Sequence, residues 1–306
     1  MPLIASVDVP ASSANLGSGF DCFAAALSLK LRAELHAGDE AGIVLNAHGE
    51  GAPGSDDDPE QNLLLRAFRE GMRAALGAPE GSGAWRIEVS SMIPAARGLG
   101  SSAAAIVAGL LLGAAVGRRA PGADELLALA TRLEGHGDNV AAAMYGSFTL
   151  TVGEALRRFH VPHGWIPVVF VASAHSHTAE MRRVLPEYVP HADAARQAGR
   201  AALLATALMS GDAGILREAM ADALHQPYRL PLLPGAAELI EAAYDHGAAG
   251  AALSGAGPSV LAICDSPAAA HSVEKAWNAS GVPGMATRLR FDEAGARLTH
   301  RREGTA

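Results

Sequence analysis

The sequence predicts a two-domain protein of mixed α and β structure, and three observations carry that reading. The chain has 306 residues, 49% of them apolar, enough for two cores of ordinary size. Period-two apolar stretches alternate with helical stretches along its whole length. Between Gly153 and Pro167 both patterns break down among His, Pro and Trp, so the domains are divided as 1–160 and 161–306.

The elements follow in order. Alternation predicts strands at Val7 and Val9, Leu31 to Leu35, Ile43 to Leu45 and Trp85 to Ser90 (WRIEVS). GEGAPGSDDDPEQN, from Gly49 to Asn62, is a long acidic loop with an Asp-Pro step, after which NLLLRAFREGMRAAL has helical periodicity. Ala103 to Gly117 is apolar, mostly Ala and short for a membrane span, which fits a buried helix. Helical patterns continue at Asp124 to Leu133 and Asn139 to Tyr145, and strands at Ser147 to Val152 and Ile166 to Val171 (IPVVFV). Helices at Ala192 to Ser210 and Ala236 to Asp245 then precede strands at Ala249 to Leu253 and Ser259 to Cys264. One more helix and strand follow, and ARLTHRREGTA reads as a frayed tail.

Composition excludes several classes. Lys and Arg number 24 against 32 Asp and Glu, a net charge of −8, which repels phosphate backbones and argues against nucleic acid as a partner. The two cysteines, Cys22 and Cys264, lie far apart among apolar residues and read as small buried hydrophobes rather than a disulfide framework. MPLIASVDVPASSANLG lacks a basic segment followed by an apolar run, so no signal peptide is predicted. The expectation is a soluble, cytoplasmic protein with no membrane partner.

PAARGLGSSAAAIVAGL, Pro94 to Leu110, places two glycines and two serines at the start of an apolar helix. Unpaired amides and the positive end of the helix dipole suit an anion there. A Walker loop is excluded because Ser101 stands where its lysine belongs. Gly98-Leu-Gly100-Ser-Ser-Ala103 fits Gly-x-Gly-x-x-Ala, but PAAR intrudes between strand and first glycine, unlike a dinucleotide fingerprint. A different triphosphate loop remains, as does a glycine turn that binds nothing.

VPASSANLGSGFDCFAAAL (Val9 to Leu27), PAARGLGSSAAA (Pro94 to Ala105) and LSGAGPSVLAI (Leu253 to Ile263) occur in that order. Together they resemble the three signature blocks of the GHMP kinases, the family that phosphorylates galactose, homoserine, mevalonate and phosphomevalonate. LEGHGDNVAAAMYGSF, HTAEMRRVLP and DALHQPYRLPLLPG, starting at Leu133, His177 and Asp222, resemble the branch whose acceptor is L-homoserine. Two positions depart from the family pattern: Ser18 replaces a proline common in the first block, and Gly137 replaces one usual before Asp138.

The resemblance implies an α+β fold of two domains. The first carries a left-handed β-α-β unit, against the usual hand, and the second is ferredoxin-like, with the site between them. It implies transfer of the ATP γ-phosphoryl group to the side-chain hydroxyl of L-homoserine, a step toward threonine, with Mg²⁺ as metal. A homodimer is compatible with it. The ATP site would comprise Pro94, Ala95, Ala96, Arg97, Gly98, Leu99, Gly100, Ser101, Ser102, Ala103 and Ala104, with Asn62 on the adenine side and Gly255 and Gly257 closing over the phosphates. Ser102 and Glu134 would hold the metal, and Asp138 would be a candidate general base.

An amino-acid acceptor needs partners for carboxylate, ammonium and hydroxyl. By resemblance, Arg182 and Arg229 meet the carboxylate, for which guanidinium forks are suited. Asn15, Asp21 and Asn139 hold the ammonium and hydroxyl end. His225 and Gln226 read as support for Arg229, and His175 with His177 as loop residues rather than a metal pair. The rival readings are a mevalonate or sugar kinase of the same family, a non-catalytic ATP-binding regulator on its scaffold, and a dinucleotide oxidoreductase.

Overall fold

The computed structural model describes residues 2–39, 41–52, 60–77, 83–117 and 119–300. Its first sheet is built on two long antiparallel strands, β1 (Leu3–Ala14) and β2 (Phe23–Ala37). Strand β4 (Ala84–Met92) pairs antiparallel with β2, and β3 (Gly42–Glu50) runs parallel to β4. Helix α1 (Leu63–Leu76) makes the crossover between that parallel pair. Asn62 starts it by accepting from the amides of Leu64 and Leu65, and Gly77 ends it in the left-handed region at φ 67°. The segment 53–59 of the acidic loop lies outside the described residues.

Helix α2 (Ser101–Ala114) is apolar nearly all round because it is enclosed. It packs on α1 at very close range. A Cβ on Gly109 would meet the Leu64 carbonyl oxygen at 2.2 Å, and one on Gly113 that of Phe68 at 2.1 Å. This contact fixes where the start of α2 points. Helices α3 (Ala123–Glu134) and α4 (Asp138–Tyr145) follow, then the hairpin β5 (Phe148–Val152) and β6 (Ala155–Phe159), in which β5 pairs with β2.

Strand β7 (Ile166–Ala172) opens the second sheet. Helices α5 (Thr178–Arg183), α6 (His191–Ser210), α7 (Ala213–Ala219), α8 (Gln226–Arg229) and α9 (Ala236–Asp245) separate it from β8 (Gly250–Leu253). Strand β9 (Val260–Cys264), α10 (Pro267–Asn278) and β10 (Gly284–Arg288) complete a β-α-β-β-α-β sequence. All its pairings are antiparallel in the order β10-β7-β9-β8, the ferredoxin-like arrangement. Its own core centres on Phe170, Trp277 and Leu253.

Three features differ from the sequence expectation. Strand β6 occupies the stretch where periodicity failed, because ALRRF is a mostly exposed edge strand with no apolar alternation to show. The strand expected around Val7 and Val9 runs on into the first motif, since β1 and β2 extend through it and leave 15–22 as the turn. The presumed frayed tail is in part β11 (Arg297–His300), which pairs antiparallel with β1 and returns the chain to the first sheet. Among the described residues, no helix is long and apolar enough to cross a membrane.

Candidate active site

A cleft of about 250 Å³ opens where the two sheets' loops meet, and all three motif loops line it. The turn 15–22 enters from β1. Asn15, Leu16 and Asp21 have left-handed backbones, at φ 73°, 49° and 55°, an unfavourable state for side-chain-bearing residues that persists where surroundings enforce it. The enforcement comes from the second domain. Asn15 Nδ2 donates to the Gly255 carbonyl at 2.8 Å, and Gln197 Nε2 to that of Ser18 at 2.8 Å. Ser18 itself donates through Oγ to the Ala219 carbonyl at 2.6 Å, a buried bond that the family's proline could not make.

The glycine loop comes from the first domain. Gly98 and Gly100 stand at φ 72° and 69°, and a Cβ on either would strike a neighbour: the Ser254 carbonyl oxygen at 2.1 Å, or Ser12 Oγ at 2.1 Å. Their lack of side chains therefore serves contact between loops. Ser254 Oγ seals the junction by donating to the Gly98 carbonyl at 2.6 Å. No side chain caps α2, so its first amides face the cleft beside Ser101 and Ser102.

Ser102 Oγ donates to Glu134 Oε1 at 2.6 Å. Burial raises the Glu134 carboxyl above its usual range, against the lowering effects of the Ser102 hydrogen bond and of His136. Two hard oxygen donors, one of them a carboxylate, suit a small divalent ion that keeps its other positions for water and phosphate. Four residues on, Asp138 is buried at the start of α4, and its Oδ1 accepts from the Asn139 amide at 2.6 Å. The same oxygen lies 3.0 Å from His136 Nδ1, and this hydrogen bond raises the His136 pKa. Asn139 Oδ1 is turned by the Ser12 hydroxyl, which donates to it at 2.8 Å.

The two arginines approach from the second domain. Arg182 makes a two-pronged pair with Asp21 at 2.9 and 2.7 Å, so the two groups expected at opposite ends of the acceptor hold each other. Arg229 is 1% exposed, and among the described residues its hydrogen-bond partners are neutral: the Met181 carbonyl at 3.1 Å, His225 Nδ1 at 3.2 Å and the Gly255 carbonyl at 3.5 Å. Burial, and next the charge of Arg182, pull its pKa down to about 10.

Most of the residues singled out from the sequence share this cleft, from Asn15 and Asp21 to Gly255 and Gly257. Several do not line it. Asn62 caps α1, Ala103 and Ala104 face the core at 0% exposure, and Arg97 reaches the Ser173 carbonyl and Glu50. Pro94 and Ala95 also lie off it. Sequence reasoning missed His136, although it stands between Glu134 and Asp138, and Phe20, whose ring lies under both guanidinium groups. Ser176 was passed over as well; it joins the loops by donating to the Ala96 carbonyl through its amide and to that of Gly257 through Oγ.

The family model described as "GHMP kinases N terminal domain" matches residues 62–147, and "GHMP kinases C terminal" matches 200–283. A homoserine kinase of Synechococcus sp. (strain CC9311) is 40% identical over 300 residues, covering 95% of this chain and 94% of that protein. The chain belongs to the GHMP kinase family. A homoserine kinase of Prochlorococcus marinus (strain MIT 9313) is 39% identical with the same coverage. Among solved structures, the homoserine kinase from Cytophaga hutchinsonii superposes with a TM-score of 0.85 at 26% identity, covering 98% of both chains. The mevalonate kinase of Methanococcus jannaschii, at 15% identity and a TM-score of 0.69 over 94% of this chain and 98% of that one, shares the fold. As a GHMP kinase the chain uses ATP.

Proposed function

We propose that the chain is a homoserine kinase, transferring the γ-phosphoryl group of ATP to the side-chain hydroxyl of L-homoserine and yielding O-phospho-L-homoserine for threonine formation. One observation carries the acceptor assignment. Arg229 is a cation buried in the cleft whose hydrogen-bond partners among the described residues are neutral, beside an Asp21–Arg182 pair of opposite charges. Asp21 and Asp222 offset part of the cost of burying this cation from a distance. No carboxylate hydrogen-bonds to it among the described residues, and a ligand carboxylate would relieve the remaining cost. An α-amino acid brings carboxylate and ammonium together, matching the arginines and Asp21 in one placement. Mevalonate lacks the ammonium, and sugars lack both.

The roles follow from phosphoryl transfer, which asks for alignment and charge stabilisation more than covalent help. The first amides of α2 and the backbone from Gly98 to Ser102 meet the phosphates. Ser102 and Glu134 would hold Mg²⁺, whose charge would help neutralise the transferred group. Asn139, fixed by Ser12, and Asp138, whose Oδ2 accepts no hydrogen bond among the described residues, orient the acceptor hydroxyl and its proton. His136 steadies Asp138. Asn15 and Gly255 bring the two domains' loops together at the same point.

The test is turnover of Mg-ATP against homoserine, mevalonate, galactose, serine and threonine. Homoserine is expected to have the highest kcat/KM. Mevalonate or galactose turned over more efficiently would overturn the assignment.

A further inference from the structure

His225 lies behind Arg229, fully buried, and no step above uses it. Its Nε2 is 3.0 Å from the Gly17 carbonyl oxygen, and its Nδ1 is 3.2 Å from Arg229 Nη1. A carbonyl only accepts and a guanidinium only donates, so one protonation state satisfies both contacts. The proton sits on Nε2, the lone pair on Nδ1, and the ring is neutral.

The charged groups around the ring support that state. Asp222 Oδ2 is 3.6 Å from Nε2, but this carboxylate already accepts the amides of Leu224, His225 and Gln226 and the side chain of Gln197. Asp21 also favours a charged imidazole, whereas Arg229 opposes it. Burial is the largest influence and holds the pKa below its ordinary value. Phe20 stacks on the imidazole at a centroid distance of 5.1 Å and an angle of 21°. The guanidinium carbons of Arg182 and Arg229 stand 5.8 and 5.3 Å from that same ring.

The structure assigns His225 as a positioning residue for acceptor binding: its Nδ1 lone pair holds the Arg229 guanidinium so that the remaining N–H edge faces the acceptor carboxylate. Nε is held by Met181, and the two Nη1 hydrogens go to His225 and, at a long 3.5 Å that a ligand can replace, to Gly255; Nη2 makes no hydrogen bond among the described residues and is open to a ligand. That edge can grip a carboxylate at two points. The assignment rests on reading Arg229 as the carboxylate's partner.

Two near-isosteric variants separate positioning from mere filling of space. In His225→Asn the amide oxygen reaches the place of Nδ1 and still accepts from Arg229. In His225→Gln the amide reaches the place of Nε2, donates to Gly17 and leaves Arg229 unheld. His225→Gln is expected to raise the homoserine KM roughly 10- to 100-fold, as for loss of a hydrogen bond to a charged group, with kcat and the ATP KM nearly unchanged. His225→Asn is expected to recover most of that loss. Equal KM changes in the two variants, or a wild-type KM in His225→Gln, overturn the assignment. Arg229→Leu is measured alongside. If it leaves the homoserine KM unchanged, the carboxylate reading fails; if it raises that KM while His225→Gln does not, only the role of His225 fails. Should the variants not fold, nitrogen NMR of the His225 ring in the intact protein at neutral pH decides. An Nε2-protonated neutral ring is expected, and an Nδ1-protonated or cationic ring overturns the proposal.

Discussion

Ser102, in the first turn of α2, donates its hydroxyl to Oε1 of Glu134, the last residue of α3, across 2.6 Å. The bond brings a hydroxyl and a carboxylate together where α2 presents its free amides. Burial lifts the Glu134 carboxyl above its usual range, while the Ser102 hydrogen bond and His136 pull it down.

Glu134→Gln keeps the shape and removes the charge. It is expected to lower kcat by roughly 10²- to 10³-fold, the range for losing one preorganised electrostatic group, because that charge acts most strongly in the transition state. Homoserine binding, measured by calorimetry without nucleotide, is expected to stay near wild type. Near-normal turnover at limiting Mg²⁺ would remove Glu134 from the metal site.

Arg229→Leu is expected to lower kcat/KM for homoserine by about 2–5 kcal/mol, roughly 30- to 4000-fold, as one side of a desolvated charge pair is lost. The ATP KM is expected to hold, since the glycine loop lies across the cleft. Arg229→Lys restores only part, as a point charge cannot copy the fork. Arg182→Leu is expected to lower kcat/KM as well, because it also strips Asp21 of its partner. Arg183→Leu, on the exposed side of α5, is expected to be nearly neutral. An amino-alcohol without the carboxylate is the control. Equal losses for both acceptors would mean that Arg229 serves the fold.

Gly98→Ala places a methyl 2.1 Å from the Ser254 carbonyl oxygen on a backbone at φ 72°. The left-handed backbone alone is expected to cost about 1–3 kcal/mol, and parting the two loops is expected to lower turnover as well. Gly137 offers the contrast. Its φ is −93°, and an added Cβ would come no nearer than 3.4 Å to Thr151 Oγ1. Gly137→Ala is therefore expected to raise stability by about 0.4–1 kcal/mol through the unfolded chain. Urea midpoints compare the two, and similar shifts would contradict the contact assigned to Gly98.

The sequence by itself determined the parts whose signal is local. Helix and strand periods repeat within a few residues, so the apolar run of α2, the alternation of β4 and the ends of α9 are legible in the chain. Three glycine-rich blocks in order were enough to identify the family, and three further blocks brought in Glu134, Arg182 and Arg229 as candidates. Tertiary structure alone decided whatever joins distant residues. Strand β11 carries little alternation of its own and becomes a strand because β1 offers a free edge. The glycines of the motif loop answer to Ser254 and Ser12, more than 80 positions away in each case, which no local pattern records. Ala103 and Ala104 fall to the core because the helix turns them inward, and the Asn62 side-chain oxygen caps α1. The state of His225 follows from a carbonyl in one domain and a guanidinium in the other. Burial and hydrogen-bond partners are properties of the packed chain, and they set the buried Arg229 physically apart from the exposed Arg183.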